Sequence, residues 1–234
     1  MPTIGAVLVE TVRTGSREAR STSSRTYETA YGKQLRDGDV SVTVDGLDGD
    51  LSVGINHGGP DQAVYVYGGV DYEWWATELG APLPDGAFGE NLRIAGLASA
   101  DHRIGDQLLI GDVVLEVSFP RIPCHKLAHH LGDHSMVRRF RAAQRPGFYC
   151  RVLTPGLVRV GLPVAVASGE GSHPSVREAF NAFLAPAADP DLLDRVLAAP
   201  IAVKLGRFLV EKRAGSRDIA QINAQIDEIV GSEI

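Results

Sequence analysis

Short apolar runs cut apart by glycines dominate the first two thirds of this chain, and they constrain the fold more than any other feature. The sequence has 234 residues and 26 glycines. Residues 4–9, 40–44, 63–67, 91–94, 107–110, 113–117 and 150–153 each read as a strand, with Val158 and Val160 next. The stretch Val-Ser-Val-Thr-Val at 40–44 alternates with period two, the pattern of a half-buried strand. Gly46, Gly49 and Gly54 break up the next ten residues. Many short strands separated by glycine turns predict a mostly β unit, a barrel or a sandwich. Residues 70–79, with Trp74 and Trp75, are the helix expected within it. Residues 13–30, rich in Ser, Thr and Arg, read as a loop.

The pattern changes at Gly169-Glu170-Gly171-Ser172-His173-Pro174. Beyond it the apolar residues recur at helical spacing. Ser175 with Glu178 three residues on makes a capping box before Phe180 and Phe183. Asp189-Pro190 starts a second helix and Pro200 a third. Ile219, Ile222, Ile226 and Ile229 mark a fourth, more polar segment. Two units are therefore expected: residues 1–168, mostly β and barrel-like, and a small α-helical domain at 174–234.

Composition excludes several classes. Hydrophobic residues make up 44% and charged residues 22%, enough for an ordinary globular core. The net charge of -6 argues against broad nucleic-acid binding and leaves room only for a local anion site. Two cysteines, Cys124 and Cys150, make neither a disulfide framework nor a four-cysteine cluster. The first ten residues lack a basic segment followed by an apolar core, so no signal peptide is expected. No apolar run reaches about 18 residues, so no membrane span is expected. The chain is expected to be cytoplasmic.

Three places are dense in chemistry. The first is Val117-Ser-Phe-Pro-Arg-Ile-Pro-Cys-His-Lys126. A strand ends at Pro120, Pro123 stiffens the turn, and Arg121, His125 and Lys126 surround the Cys124 sulfur. Cations beside a thiol favour the thiolate, the form that attacks electrophiles and binds soft metals. The other reading is a buried cysteine packing as a small hydrophobe. The second place is His57-Gly58-Gly59-Pro60-Asp61, where adjacent glycines form either an anion-binding nest or a plain turn. The third is Phe88-Gly89-Glu90-Asn91-Leu92, where Asn91 offers a donor and an acceptor to a heterocycle edge, or caps a turn. His125, His129, His130 and His134 have spacings open to a metal, but no Glu sits between them as in a zinc protease. The chain has no Gly-x-Gly-x-x-Gly, no phosphate-binding Gly-x-x-x-x-Gly-Lys-Ser/Thr and no Gly-x-Ser-x-Gly. Electrons for any redox reaction must therefore come from another protein.

Read together and in order, these places resemble the MOSC domain, named for the C-terminal domain of molybdenum cofactor sulfurases. The resemblance runs through residues 46–50, 56–64, 88–92, 104–106, 120–127 and 147–152, and covers about residues 1–167. The helical tail is similar to that of the branch related to bacterial 6-hydroxyaminopurine reductase. Asn56 and Gln62 depart from the valine and lysine common at those positions.

The resemblance implies a barrel-like fold holding the molybdenum cofactor, molybdopterin, with Cys124 as catalytic residue and molybdenum ligand. His57, Gly58, Gly59, Asp61, Asn91, Arg121 and Lys126 are the implied cofactor-binding residues. The implied activity is that of an oxidoreductase reducing a small N-hydroxylated base or related compound to its amine, fed by a separate electron-donating reductase. A persulfide carrier working through Cys124, and a cofactor-binding module without turnover, are the alternatives.

Overall fold

Apolar side chains repeating every second residue set the strands, and glycine or proline ends most of them. The computed structural model describes residues 7–21, 26–51, 58–185 and 189–214. Its strands are β1 (Leu8–Thr14), β2 (Glu18–Ser21), β3 (Thr26–Thr29), β4 (Gln34–Leu35), β5 (Val40–Thr43), β6 (Gly46–Leu47), β7 (Val64–Gly68), β8 (Leu92–Ala95), β9 (Gln107–Ile110), β10 (Val113–Pro120), β11 (Phe148–Thr154), β12 (Gly156–Val158) and β13 (Val164–Ala167). The helices are α1 (Gly69–Leu79), α2 (His125–Leu131), α3 (Met136–Ala143), α4 (Val176–Leu184), α5 (Pro190–Ala198) and α6 (Val203–Arg213).

Eight strands form the main sheet, in the order β13-β9-β10-β11-β7-β8-β1-β4. Its pairs are antiparallel except β7 with β8. A parallel pair needs a crossover, and α1 lies in that connection. A three-stranded sheet, β12-β5-β6, and the hairpin β2-β3 complete the strands.

Sheet sits at the centre, as the sequence predicts, yet helix claims about as many residues as strand. The expected barrel is not established, because the main ladder does not close. Among the described residues, the β13 end meets the start of β1 at one corner. Val9 N–H donates to Leu162 O at 2.9 Å, Gly161 N–H to Val9 O at 2.8 Å and Val164 N–H to Val7 O at 3.0 Å. β4 pairs only with Arg13 and Thr14 of β1, which leaves the start of β1 open to these bonds.

The segment 13–30 is not a loop. It holds the end of β1 and the hairpin β2-β3, whose outer face is tied by Arg17 to Glu28 at 2.7 Å and by Ser21 to Thr26 at 2.9 Å. Polar residues on an exposed hairpin hide its strand pattern. The first strand is Leu8–Thr14, later than the expected 4–9, of which residues 4–6 lie outside the described residues. The capping box of α4 is present in both directions: Glu178 N–H donates to Ser175 Oγ at 3.1 Å, and Ser175 N–H to Glu178 Oε2 at 2.7 Å. α6 begins at Val203 and not at Pro200. The expected fourth helical segment lies outside the described residues. Phe180 and Phe183 of α4 join the same apolar cluster as Val117 and Phe119 of β10, so helices and sheet share one core.

Candidate functional site

β10 delivers the site. It alternates buried Val113, Leu115 and Val117 and then loses register against β11 between Val117 and Phe119. Such an irregularity re-aims a strand end. The chain leaves the ladder at Pro120, and Cys124 becomes the residue that caps α2.

Arg121 is 5% exposed. Its Nη2 donates to Cys124 Sγ at 3.5 Å. Its guanidinium carbon lies 5.8 Å from the Tyr31 ring centre and 5.9 Å from that of Tyr65. Its strongest electrostatic partners among the described residues are Tyr149, Cys124, Tyr31 and Tyr65, none of them a carboxylate. Enclosing an ion without a counter-charge costs several kcal/mol, so this cation calls for an anion, the Cys124 thiolate or a bound ligand. Of the expected flanking cations, Lys126 sends its Nζ to Glu28 O of the hairpin at 3.3 Å. The side chain of His125 is outside the described residues.

A cavity of about 70 Å³ lies against Arg121. Tyr31, Lys33, Asp50, Asn91, Lys126 and Tyr149 also form its wall. Cys124 does not line it and sits one side chain behind, under Arg121. Lys33 Nζ donates to both carboxylate oxygens of Asp50, at 2.5 and 2.6 Å, with each side chain 9% exposed. Burial lowers the Lys33 pKa and the Asp50 charge opposes it. Asp50 also accepts from Gly15 N–H at 2.6 Å and from Asn91 Nδ2 at 2.8 Å.

The predicted residues therefore separate. Asn91, Arg121 and Lys126 meet at the cavity. Asn91 spends its amide on the protein, donating to Arg13 O and Asp50 and accepting from Tyr65 N–H at 2.9 Å. It holds the wall in place. Gly58, Gly59 and Asp61 do not line the cavity. Their turn faces the start of α6. Asp61 accepts from Arg151 Nε at 3.0 Å and from Val203 N–H at 2.9 Å, and Gly58 O accepts from Lys204 Nζ at 3.4 Å. His57 lies outside the described residues. The histidine cluster packs on the hairpin: His129 faces Tyr27 and His130 faces Tyr31, with ring centres 6.0 and 4.7 Å apart. Among the described residues no three His, Cys, Asp or Glu side chains converge as a metal site.

Tyr31, Lys33, Asp50 and Tyr149 were not singled out from the sequence. Asp50 carried one usable signal, its place in Gly46-Leu-Asp-Gly-Asp50. Both cysteines are free. Cys150 lies in β11 with no exposed surface, and burial pushes its thiol pKa up, with the Glu116 charge adding to the rise.

Residues 54–165 match the family model of the MOSC domain. YiiM of Escherichia coli is 31% identical over 205 residues, covering 84% of this chain and 89% of YiiM. The chain belongs to the MOSC domain family. Its match to YflK of Bacillus subtilis is 39% identical over 144 residues, 62% of this chain and 65% of YflK. The chain also matches a protein of Gibberella moniliformis named as a reductase, 37% identical over 134 residues, 55% of this chain and 24% of that protein. The chain thus spans just under two thirds of YflK and about a quarter of the fungal reductase. The crystal structure of E. coli YiiM superposes with a TM-score of 0.71 at 27% identity, covering 91% of this MOSC chain and 94% of the other.

The donor set fits the family's cofactor in chemistry: Arg121, Lys33 and Lys126 for an anionic phosphate, and a soft sulfur for a soft metal. The free space takes a few waters or one phosphate-sized group.

Proposed function

We propose that this chain holds the molybdenum cofactor at the Arg121–Cys124 corner and reduces N-hydroxylated bases or related compounds to amines. The observation that carries the reading is the buried guanidinium of Arg121, which lacks a carboxylate and donates to the Cys124 sulfur. When bound, the cofactor supplies the two-electron chemistry at molybdenum. Cys124 offers it a thiolate. Arg121 neutralises the anionic ligand, and the rings of Tyr65 and Tyr149 keep water from the corner. The Lys33–Asp50 pair, fixed by Asn91, holds the opposite wall.

Reduction of an N-hydroxylated amine consumes two electrons and two protons and releases water and the amine. The electrons come from a separate reductase in the cytoplasm. Membership of the MOSC family supports the cofactor, and the fungal relative's name supports the reaction class. The test is expression in cofactor-competent cells, followed by molybdenum per chain and turnover of 6-hydroxyaminopurine with an artificial donor. The reading expects stoichiometric molybdenum and turnover. Molybdenum without turnover would leave a cofactor-binding module. Sulfane sulfur on Cys124 without molybdenum would leave a carrier.

A further inference from the structure

Tyr31 stands between β3 and β4, and its ring rests in the space left by Gly89. A Cβ on Gly89 would lie 3.0 Å from Tyr31 Cε1, and Gly89 has a φ of 72°, which side-chain-bearing residues rarely adopt. His130 and Arg121 approach the same ring. The ring is held, but the hydroxyl is not. It is buried and makes no hydrogen bond of normal geometry among the described residues, although the Arg121 guanidinium lies beside it.

Other buried tyrosines are treated differently by this fold. Tyr65 donates to Pro146 O at 2.9 Å, Tyr67 to Arg145 O at 2.7 Å and Tyr72 to Glu90 at 2.6 Å. Three further buried polar atoms lack partners, Thr11 Oγ1, Arg13 Nε and Arg177 Nε, and none of their residues lines this cavity. Among the described residues, Tyr31 alone combines an unpaired polar atom with a place on the cavity wall. The phenol O–H is a hydrogen-bond donor. Arg121, Lys33 and Lys126 on the same wall select an acceptor that carries negative charge.

We infer that Tyr31 is a ligand-contacting, specificity-determining residue whose hydroxyl donates a hydrogen bond to an anionic oxygen alongside Arg121. The ligand class is a tetrahedral oxyanion of phosphate size, free or carried on a larger molecule. The inference rests on the proposed reading of this pocket as the ligand site, though not on the metal.

The test titrates inorganic phosphate and glycerol phosphate by calorimetry into the full-length wild type and Tyr31→Phe, and records each melting temperature without ligand. A lost hydrogen bond to a charged acceptor predicts about tenfold weaker binding in Tyr31→Phe. The melting temperature changes little, since the hydroxyl makes no hydrogen bond of normal geometry among the described residues. Binding of inorganic phosphate alone assigns the site to a free anion. Binding of both assigns it to a phosphate on a larger molecule. Equal affinity in the two proteins, absence of binding in the wild type, or a markedly lower melting temperature in Tyr31→Phe overturns the inference. Molybdenum content separates this claim from the reductase reading. A wild type without molybdenum but with the tenfold difference sinks that reading and keeps the inference. Molybdenum in both proteins with equal phosphate affinity does the reverse.

Discussion

On the buried face of α1, Asp71 is fully buried and accepts from Ser99 N–H at 2.8 Å, Ser99 Oγ at 2.5 Å and Arg145 Nη1 at 2.8 Å. Trp75 Nε1 donates to Tyr67 OH at 2.8 Å, and Tyr72 to Glu90 at 2.6 Å. At the 120–124 turn, Arg121 is nearly as buried but has no carboxylate among its strongest partners in the described residues, and the Tyr31 hydroxyl beside it makes no hydrogen bond of normal geometry there. The first region spends its polar groups on the protein itself. The second keeps them in reserve. Buried polar groups are normally satisfied, so the contrast separates scaffold from ligand site without appeal to any motif.

Substitutions should break the two regions in opposite ways. Asp71→Ala leaves Ser99 and Arg145 without their acceptor and is expected to cost about 3 kcal/mol, read from chemical denaturation. Arg121→Met removes a buried charge that has no carboxylate partner among the described residues, so stability should change little while ligand binding is lost. A large stability loss in Arg121→Met would mean that an ion pair had been overlooked there.

The two cysteines sharpen the same contrast. Cys124→Ser should abolish turnover in folded protein, because oxygen is a poorer ligand than sulfur for a soft metal. Cys150→Ser buries a hydroxyl inside β11 and should cost about 1–3 kcal/mol without removing molybdenum. Unfolding curves and metal content of both variants check this pair, and near-normal turnover in Cys124→Ser would end the ligand role.

The smallest effect concerns pH. Burial, and secondarily the Arg20 charge, lowers the His130 pKa. A base whose folded pKa is depressed stabilises the fold fully above its unfolded pKa, about 6.5. That contribution is lost as pH falls through the lower folded value. His130→Asn should therefore flatten a shallow decline in stability below about pH 6.5. A pH series of melting temperatures that is identical in both proteins would remove His130 as its source.

How much of this was legible depends on the reach of each contact. The end of β10 at Pro120, the thiol at Cys124 and the capping box at Ser175 are local, and the sequence shows them directly. The hairpin at 18–29 was hidden because its exposed residues are polar on both strands. The pocket wall was hidden for another reason. Lys33 meets Asp50 across 17 positions, and Asn91 meets Asp50 across 41. No spacing rule reaches that far. The contacts of the turn at 58–61 with the start of α6 were hidden for the same reason, since Asp61 meets Val203 across 142 positions.

Molybdenum per chain, measured side by side in Arg121→Met and Asp71→Asn brought to equal folded concentration, tests the contrast most directly. The account predicts metal lost from Arg121→Met and kept in Asp71→Asn. Metal kept in Arg121→Met at the wild-type level would contradict it.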